Sequence, residues 1–289
     1  MELLMLNYLR DADRLLAAAG WATRSEKCGA EYEPSGKEVS NMVKYAKDMK
    51  LSSVLDIPFF VFSMKDVSRA FTHQWVRYRI AAHMQQSLRF VKIATDDLDW
   101  FVVPPAVSGK GKDAVIDYVK NQINCAESYK KLIGHNIPIE DARFALPIGT
   151  KTHITTAMNG EELLHVLSQR CCVDAQWEIR AVSYALLAAG LIIAPVLFDG
   201  AGPHCTAEGI CRGTGKGRCK KDAEEIAGKI KNTIDGKNRE YEKMKSGWME
   251  IDLTDILGYT APEHLRQEVA KELGREVGLD YPVILKIKK

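Results

Sequence analysis

The residue types best suited to chemistry lie between positions 67 and 95, a stretch that contains no aspartate or glutamate. Its basic side chains are Arg69, Arg77, Arg79, Arg89 and Lys92. A guanidinium group donates paired hydrogen bonds that fit the oxygens of a phosphate. A solvated face usually mixes both signs of charge, and a plain basic surface helix is the alternative reading. The composition therefore predicts a site for an anion that carries phosphate.

Apolar residues recur at helical intervals between 68 and 92, so we expect a helix there in one or two pieces. On such a helix Arg77 and Arg79 are two positions apart and point in quite different directions. Two arginines that diverge in this way are suited to bridging two ligands, or a ligand and a neighbouring subunit.

A second set of arginines follows downstream, at Arg143, Arg170 and Arg180. Arg170 lies in an apolar stretch for which we expect one long helix over 160–189. A buried guanidinium without a partner is costly. Its partner is either a substrate or a nearby carboxylate, and the sequence leaves both open.

Composition narrows the class of protein. A chain of 289 residues fits one domain with an appendage, or two domains, and its formal charge of +2 argues against a nucleic-acid-binding protein. No apolar run reaches the roughly 18 residues of a membrane span, and no signal-peptide pattern is present. Seven cysteines without an export signal fit a reducing compartment. We expect a cytoplasmic protein with no membrane or nucleic-acid partner.

Hydrophobic periodicity predicts alternating strands and helices. The predicted strands are 3–9, 54–63, 144–156 and an edge strand within 281–289, and the predicted helices besides those above are 11–23, 39–49, 113–134 and 260–277. After residue 220 the composition becomes rich in Lys and Glu. We therefore expect a catalytic domain over 1–220 and a C-terminal helical extension of unknown role over 221–289.

Two blocks of sequence resemble a known family. The stretch HQWVRYRIAAHMQQSLRF resembles the signature of the flavin-dependent thymidylate synthases, which reads R-H-R, two residues, S, four residues, S-x-R. The block ARFALPIGTKTHITTAMNGEELLHVLSQRCCVDAQWEIR is similar to the family's second motif, and the resemblance is collinear over about 1–220. The matching residues are Gln74, Arg77, Arg79, Gln85, Ser87, Arg89, Arg143, Asn159 and Arg170.

Several positions depart from the family pattern. Tyr78 replaces the histidine of R-H-R, and Ala82 replaces the first serine. An upstream H-x-S-x-x-E-H motif begins here with Leu51 and ends with Ile57, and a position that is histidine in some members is Asp174. In the family several of these residues contact FAD, whereas the matched arginines mostly contact the nucleotide. The positions that contact the nucleotide in the family therefore match the pattern better than the positions that contact the flavin.

The resemblance implies a mixed α/β fold, with helices flanking a sheet, and a homotetramer with active sites at subunit interfaces. It implies methylation of dUMP at C5 to dTMP, with FAD as cofactor and NADPH and methylenetetrahydrofolate as co-substrates. Arg170 and Arg77 would polarise the uracil as the catalytic pair. The implied phosphate and nucleotide contacts are Gln74, Gln85, Ser87, Arg89 and Arg143. The implied flavin contacts are Ser53, Tyr78, Arg79, Asn159, His165 and Asp174, together with Arg77 and Gln85.

The altered positions keep two alternatives open. A diverged member could modify another pyrimidine nucleotide, or install another C5 group such as hydroxymethyl. A non-catalytic protein could retain only the nucleotide pocket.

A cysteine-rich segment, 199–220, allows a further reading. Cys205, Cys211 and Cys219 have the ligand chemistry of zinc, but the C-x5-C-x7-C spacing is not the usual paired motif, and reduced cysteines in a loop are the favoured interpretation. The stretch GICRGTGKG only superficially resembles a phosphate loop. Gly217 stands where a magnesium-binding Ser or Thr is needed, so we reject that reading.

Overall fold

The described residues of this computed structural model, 1–214 and 219–289, form one six-stranded mixed sheet in the order β3-β4-β2-β1-β6-β5. The strands are β1 Glu2–Tyr8, β2 Phe59–Ser68, β3 Ala81–Gln85, β4 Lys151–Asn159, β5 Trp248–Asp252 and β6 Ile284–Lys288. β1 and β6 pair in parallel, and the other neighbours are antiparallel. The predicted mixed α/β class is confirmed.

Helices flank this sheet. They are α1 Ala12–Ala22, α2 Gly36–Asp48, α3 Ser52–Leu55, α4 Arg69–Trp75, α5 Pro105–Ser108, α6 Lys112–Gly134, α7 Ile139–Ala142, α8 Gly160–Arg170, α9 Trp177–Ile193, α10 Pro195–Phe198, α11 His204–Ala207, α12 Lys220–Thr233, α13 Lys237–Lys243, α14 Thr254–Leu257 and α15 Glu263–Leu273. Short 3-10 turns occupy Gly29–Glu31 and Arg143–Ala145. Within the described parts of the chain, none of these helices is long and apolar enough to span a membrane.

The main core lies between the sheet and α9. Side chains alternate across a strand, so Phe60, Phe62 and Met64 of β2 all reach the same face and are fully buried. The central helix α9 is apolar on most of its surface and contacts β1, β6 and α4. Its position explains why α4, which leads into the arginine segment, is held against the sheet.

Composition predicts a helical C-terminal segment over 221–289. The structure shows that this segment also supplies strands β5 and β6. β6 is not an edge strand either, since it lies between β1 and β5. Val283, Leu285 and Ile287 are completely buried and alternate with the less buried Ile284 and Lys286. This alternation lets β6 pair with β1 and pack its buried face in the core. The pairing of β6 with β1 could not be predicted from short-range sequence patterns. The boundary at residue 220 stays a prediction.

Two predicted helices are wrong in extent. The helix expected over 68–92 ends at Trp75, and Ala81–Gln85 is strand β3, because it pairs with β4 far along the chain. The long helix over 160–189 is broken between α8 and α9. The strands expected at 54–63 and 144–156 start later, as β2 and β4. The last three residues of the rejected phosphate loop, 215–217, lie outside the described residues.

Leu285→Ala is expected to lower the free energy of unfolding by about 2–5 kcal/mol, because it leaves a cavity at a fully buried position of β6. Urea denaturation followed by circular dichroism measures this change. Lys288→Ala on the same strand is the control and should change stability by less than about 0.5 kcal/mol, since that side chain is exposed. Equal effects of the two substitutions would contradict the packing of β6 in the core.

Candidate active site

Arg77, Tyr78 and Arg79 lie in the turn that joins α4 to β3. The start of α4 is fixed by Ser68, whose hydroxyl accepts a hydrogen bond from the Phe71 amide at 3.0 Å. Arg77 and Arg79 are exposed, whereas Tyr78 is only 6% exposed. The turn therefore presents two guanidinium groups at the surface and directs the phenol between them inward.

A chain of hydrogen bonds fixes the backbone of Tyr78. Its carbonyl lies 3.0 Å from Nε2 of His83, and Nδ1 of His83 lies 3.0 Å from the Thr156 hydroxyl. Since a carbonyl can only accept, Nε2 carries the proton and Nδ1 accepts from Thr156. Trp75 Nε1 in turn donates to the same hydroxyl at 2.9 Å. The network joins α4, β3 and β4 at the point where the arginine segment turns.

The side chain of Tyr78 contacts Arg170 from the second motif block. Nε of Arg170 donates to Tyr78 Oη at 2.6 Å, and its guanidinium carbon lies 5.5 Å from the centre of the Tyr78 ring. The Tyr78 hydroxyl donates to Gln169 Oε1 at 3.1 Å. Burial raises the pKa of Tyr78, and the neighbouring Arg170 acts in the opposite direction. A neutral phenol thus links two blocks that are 92 residues apart in sequence.

This contact answers which group holds Arg170. Neither of the nearby carboxylates does so: Glu178 accepts hydrogen bonds from Ser68, and Asp174 accepts one from the Thr214 hydroxyl at 2.9 Å. Tyr78, a substituted position of the family pattern, is the partner instead.

Three residues expected on the flavin side lie on α3 and α8: Ser53 on α3, Asn159 at the N-cap of α8 and His165 within α8 beside Tyr78. The His165 ring is perpendicular to that of Tyr78 at 6.2 Å, and its Nε2 lies 3.1 Å from the Gln169 amide nitrogen. Asn159 caps α8 by accepting a hydrogen bond from the Glu162 amide, and Ser53 is exposed on α3. Because α3 contacts α8, these side chains border one region of the surface.

Arg89 and Arg143 are brought together on one residue. Nε of Arg89 donates to a carboxylate oxygen of Glu140, and Nε of Arg143 donates to the Glu140 carbonyl, both at 2.9 Å. Burial, followed by the charge of Arg143, holds the pKa of Arg69 below its usual range. Three cationic side chains with one exposed carboxylate between them form a positively charged surface that favours an anion.

The neutral residues of the first motif are mostly tied locally. Gln85 Nε2 donates to the Thr72 hydroxyl at 2.9 Å, and the Ser87 hydroxyl accepts a hydrogen bond from the Arg89 amide at 3.3 Å. Gln74 is half-buried near the end of α4. Gln85 is therefore directed toward α4, whereas Ser87 lies beside the Arg89 surface.

Three arginines of the two motif blocks share one hydrogen-bonding mode. Among the described residues, Arg89, Arg143 and Arg170 each make side-chain hydrogen bonds through Nε only. Arg180 instead uses a terminal nitrogen to bind the Val173 carbonyl at 2.6 Å. A guanidinium held at Nε keeps its two terminal nitrogens available as a fork for a ligand. Arg180 is thus a structural residue, and the other three are candidates for binding.

Comparison with known proteins places this arrangement in a family. Residues 4–196 match the family described as thymidylate synthase complementing protein. The chain is 39% identical over 190 residues to the flavin-dependent thymidylate synthase of Geobacter sulfurreducens, covering 66% of this chain and 80% of that protein. It is 34% identical over 208 residues to the enzyme of the same name from Sulfolobus acidocaldarius, covering 71% and 78%. The chain belongs to the flavin-dependent thymidylate synthase family.

Solved structures show the same fold. The UMP/dUMP methylase PolB of Streptomyces cacaoi, bound with 5-Br dUMP, aligns with a TM-score of 0.62 and 18% identity, covering 68% of this chain and 92% of that one. The thymidylate synthase ThyX of Helicobacter pylori, complexed with FAD and dUMP, aligns with a TM-score of 0.56 and 20% identity, covering 70% and 100%. The resemblance inferred from the two motif blocks is confirmed, and the protein is an enzyme of this type.

In the described part of the chain, the cavity beside Arg170 is not lined by the exposed arginines of the first motif block. Arg170 and Asp174 line a cavity of about 340 Å³, which Arg77, Arg79 and Arg89 do not line. Those three are exposed. The hydrogen bonds thus define two parts of the candidate site, one in which Tyr78 holds Arg170 and one in which Glu140 holds Arg89 and Arg143.

Cysteines line the cavity beside Arg170. Cys172, Cys205, Cys211 and Cys219 all border it, and the segment that carries the last three is held to Asp174 by Thr214. In the described ranges no group of three or more His, Cys, Asp or Glu side chains is arranged to hold a metal ion. The zinc alternative has no preformed ligand set here and stays a prediction.

Two residues of the site, Gln169 and His83, were not identified as candidates from the sequence. Gln169 directly precedes Arg170, so its position could have identified it. The sequence gives no such signal for His83, because its role depends on the pairing of β3 with β4.

Tyr78→Phe is expected to lower the free energy of unfolding by about 1–3 kcal/mol, because Nε of the half-buried Arg170 loses its acceptor. Urea denaturation measures the change. Tyr45→Phe is the matched control, since the Tyr45 hydroxyl also accepts from an arginine, Arg24, but at an exposed site. That substitution should cost less than about 0.5 kcal/mol. Indistinguishable effects would show that the Tyr78–Arg170 contact contributes no more than a surface pair.

Proposed function

We propose that the protein methylates dUMP at C5 to give dTMP, with FAD as cofactor and methylenetetrahydrofolate and NADPH as co-substrates. The observation that carries the proposal is the Tyr78–Arg170 hydrogen bond, which joins the two motif blocks into one site. The curated relatives named flavin-dependent thymidylate synthases support it, as does the ThyX structure with FAD and dUMP.

The residues on the flavin side fit such a cofactor. His165 and Leu55 line an open cavity of about 810 Å³, and cavities of roughly 300–1,000 Å³ are typical of small-molecule sites. The FAD, when bound, supplies the electrons for reduction of the one-carbon unit. The exposed ring of His165 offers a stacking surface, and polar groups lie nearby on α3 and α8. The proposed flavin-side residues are Ser53, Arg77, Tyr78, Arg79, Gln85, Asn159, His165 and Asp174.

Arg170 and Arg77 are the proposed catalytic pair. Tyr78 fixes Arg170 through Nε and leaves the terminal nitrogens to donate to a uracil carbonyl. Donors placed there stabilise negative charge that develops on the pyrimidine as C5 reacts. Because Tyr78 is rigidly held, this donor pair needs little rearrangement at the moment of reaction.

The surface around Glu140 is the proposed phosphate site. Arg89 and Arg143 each keep a free pair of terminal nitrogens there, and Arg69 adds a third positive charge. A phosphate offers three strong acceptors, so it relieves the repulsion among these groups better than a single carboxylate does. Gln74, Gln85 and Ser87 complete the proposed nucleotide contacts.

The two parts of the site need a second copy of the chain. A cluster of large apolar side chains is exposed around the arginine segment: Ile80 at 65%, Met84 at 77%, Phe90 at 78%, Phe144 at 84% and Ile148 at 63%. Exposed apolar clusters of this kind mark protein interfaces, and β3 is an open sheet edge beside them. A homotetramer in the cytoplasm would cover this surface and bring Arg170 of one subunit to the phosphate site of another.

We keep residues 1–220 as the proposed catalytic region. Residues 221–289 would then complete the sheet that carries it.

A second candidate function is the modification of another pyrimidine nucleotide, or the installation of another C5 group such as hydroxymethyl. It is favoured by the substitutions at Leu51, Ile57, Tyr78 and Ala82, of which Tyr78 changes the partner of Arg170 itself. Mass analysis of the products from UMP, dUMP and dCMP separates this candidate from the first.

The purified protein is expected to bind FAD with a visible flavin spectrum and to release tritium from dUMP labelled at C5. Arg170→Lys should lower turnover by about 10²–10³-fold, because an ammonium group cannot replace an oriented pair of donors. Arg14→Lys, in an exposed ion pair with Glu33, is the control and should leave turnover unchanged. A protein that neither binds FAD nor releases tritium would overturn the proposed function.

Met84→Asp is expected to shift the protein from a tetramer to smaller species and to reduce activity strongly, because a charge is placed in the proposed interface. Analytical ultracentrifugation measures the assembly. Met49→Asp changes a methionine that is also exposed, at 58%, but lies at the end of α2, and it should leave the tetramer intact. Dissociation by neither variant, or by both, would contradict this interface.

A further inference from the structure

A buried carboxyl group lies directly behind the arginine segment. Glu178, in the first turn of α9, is 1% exposed. Its carboxyl oxygens accept hydrogen bonds from the Ser68 amide at 2.8 Å, the Ser68 hydroxyl at 2.5 Å and the Tyr281 hydroxyl at 2.9 Å. Burial raises the pKa of Glu178, and these hydrogen bonds oppose the rise. A buried carboxyl group of this kind keeps its position only while its hydrogen-bond donors are present.

Ser68 transmits this geometry to the site. The same hydroxyl that donates to Glu178 accepts from the Phe71 amide and so caps α4. α4 is only seven residues long, from Arg69 to Trp75, and the chain passes directly from it to Arg77 and Tyr78. In so short a helix, a shift of the first residue moves the last one as well.

The third donor, Tyr281, comes from the C-terminal segment. Its side chain is 4% exposed and packs edge-on against Trp177 at 4.6 Å. Its backbone is fixed by two hydrogen bonds with Tyr259, at 2.7 and 3.0 Å. The match to the family ends at residue 196, so Tyr281 lies outside the matched part of the chain.

We propose that Tyr281 is a positioning residue for the nucleotide site, acting through Glu178 and Ser68 on the start of α4 and hence on Arg77 and Tyr78. This inference rests on the proposed function, because it assigns the C-terminal segment a role in binding the nucleotide of that same site. It adds to the catalytic region a residue that neither motif block contains. Tyr281 touches neither substrate nor cofactor in this role.

The test is nucleotide binding by Tyr281→Phe in the full-length protein loaded with FAD. The variant keeps the ring that packs on Trp177 and loses only the donor to Glu178. The Kd for dUMP, measured by isothermal titration calorimetry, is expected to rise about tenfold, the scale of one lost buried hydrogen bond. Tyr259→Phe is the matched control. In the described chain no hydrogen bond of the Tyr259 hydroxyl is found, and its removal should leave the Kd unchanged.

A double-mutant cycle with Ser68→Ala separates positioning from general stability. If both residues act through Glu178, the combined rise in Kd is smaller than the product of the single rises. Independent multiplication would overturn the proposed route, as would an unchanged Kd in Tyr281→Phe with only a lower melting temperature. Should Tyr281→Phe fail to fold, an unchanged Kd in Ser68→Ala overturns it equally. Absence of dUMP binding by the unaltered protein would instead overturn the proposed function, and this inference with it.

Discussion

The candidate site depends on how a guanidinium group is held. Arg170 is fixed at Nε by a buried, neutral tyrosine, so its orientation is set without a carboxylate that would neutralise its charge. An ion pair would hold the side chain more strongly but would also occupy the donors that a ligand needs. Arg143 follows the same rule, since its Nε donates to the Glu140 carbonyl, whereas Arg89 forms an ion pair with the Glu140 carboxylate through Nε alone. Orientation and binding capacity are thereby assigned to different nitrogens of one group.

The sheet behind these side chains explains why the turn at Tyr78 is rigid. Trp75, Thr156 and His83 link the end of α4 to β4 and β3, and Glu178 fixes the beginning of the same helix. Both ends of a seven-residue helix are therefore tied to the core. A site that stabilises developing charge requires donors whose positions are fixed by the surrounding core, because small displacements of the donors weaken this stabilisation steeply.

Sequence reasoning found the chemistry more reliably than the elements that carry it. The motif spacing identified Arg77 and Arg170, whose blocks are indeed joined through Tyr78, although the roles of the individual residues remain proposals. It failed for β3, since five residues with helical apolar spacing become a strand only when β4 is present to pair with them. It also failed for β6, whose interior place depends on β1. Local patterns record propensity, and pairing across long separations overrides it.

The parallel pairing of β1 with β6 has a consequence for biosynthesis. Glu2 aligns with Ile284, so the middle of the sheet joins two segments that are far apart in the chain, and the second leaves the ribosome long after the first. Until the last of them appears, one side of β1 has no backbone partner, and an open strand can recruit another molecule. Closing so long a loop is entropically slow. Nascent chains of this enzyme therefore pass through an interval of vulnerability to aggregation, which chaperones that shield exposed strands would shorten.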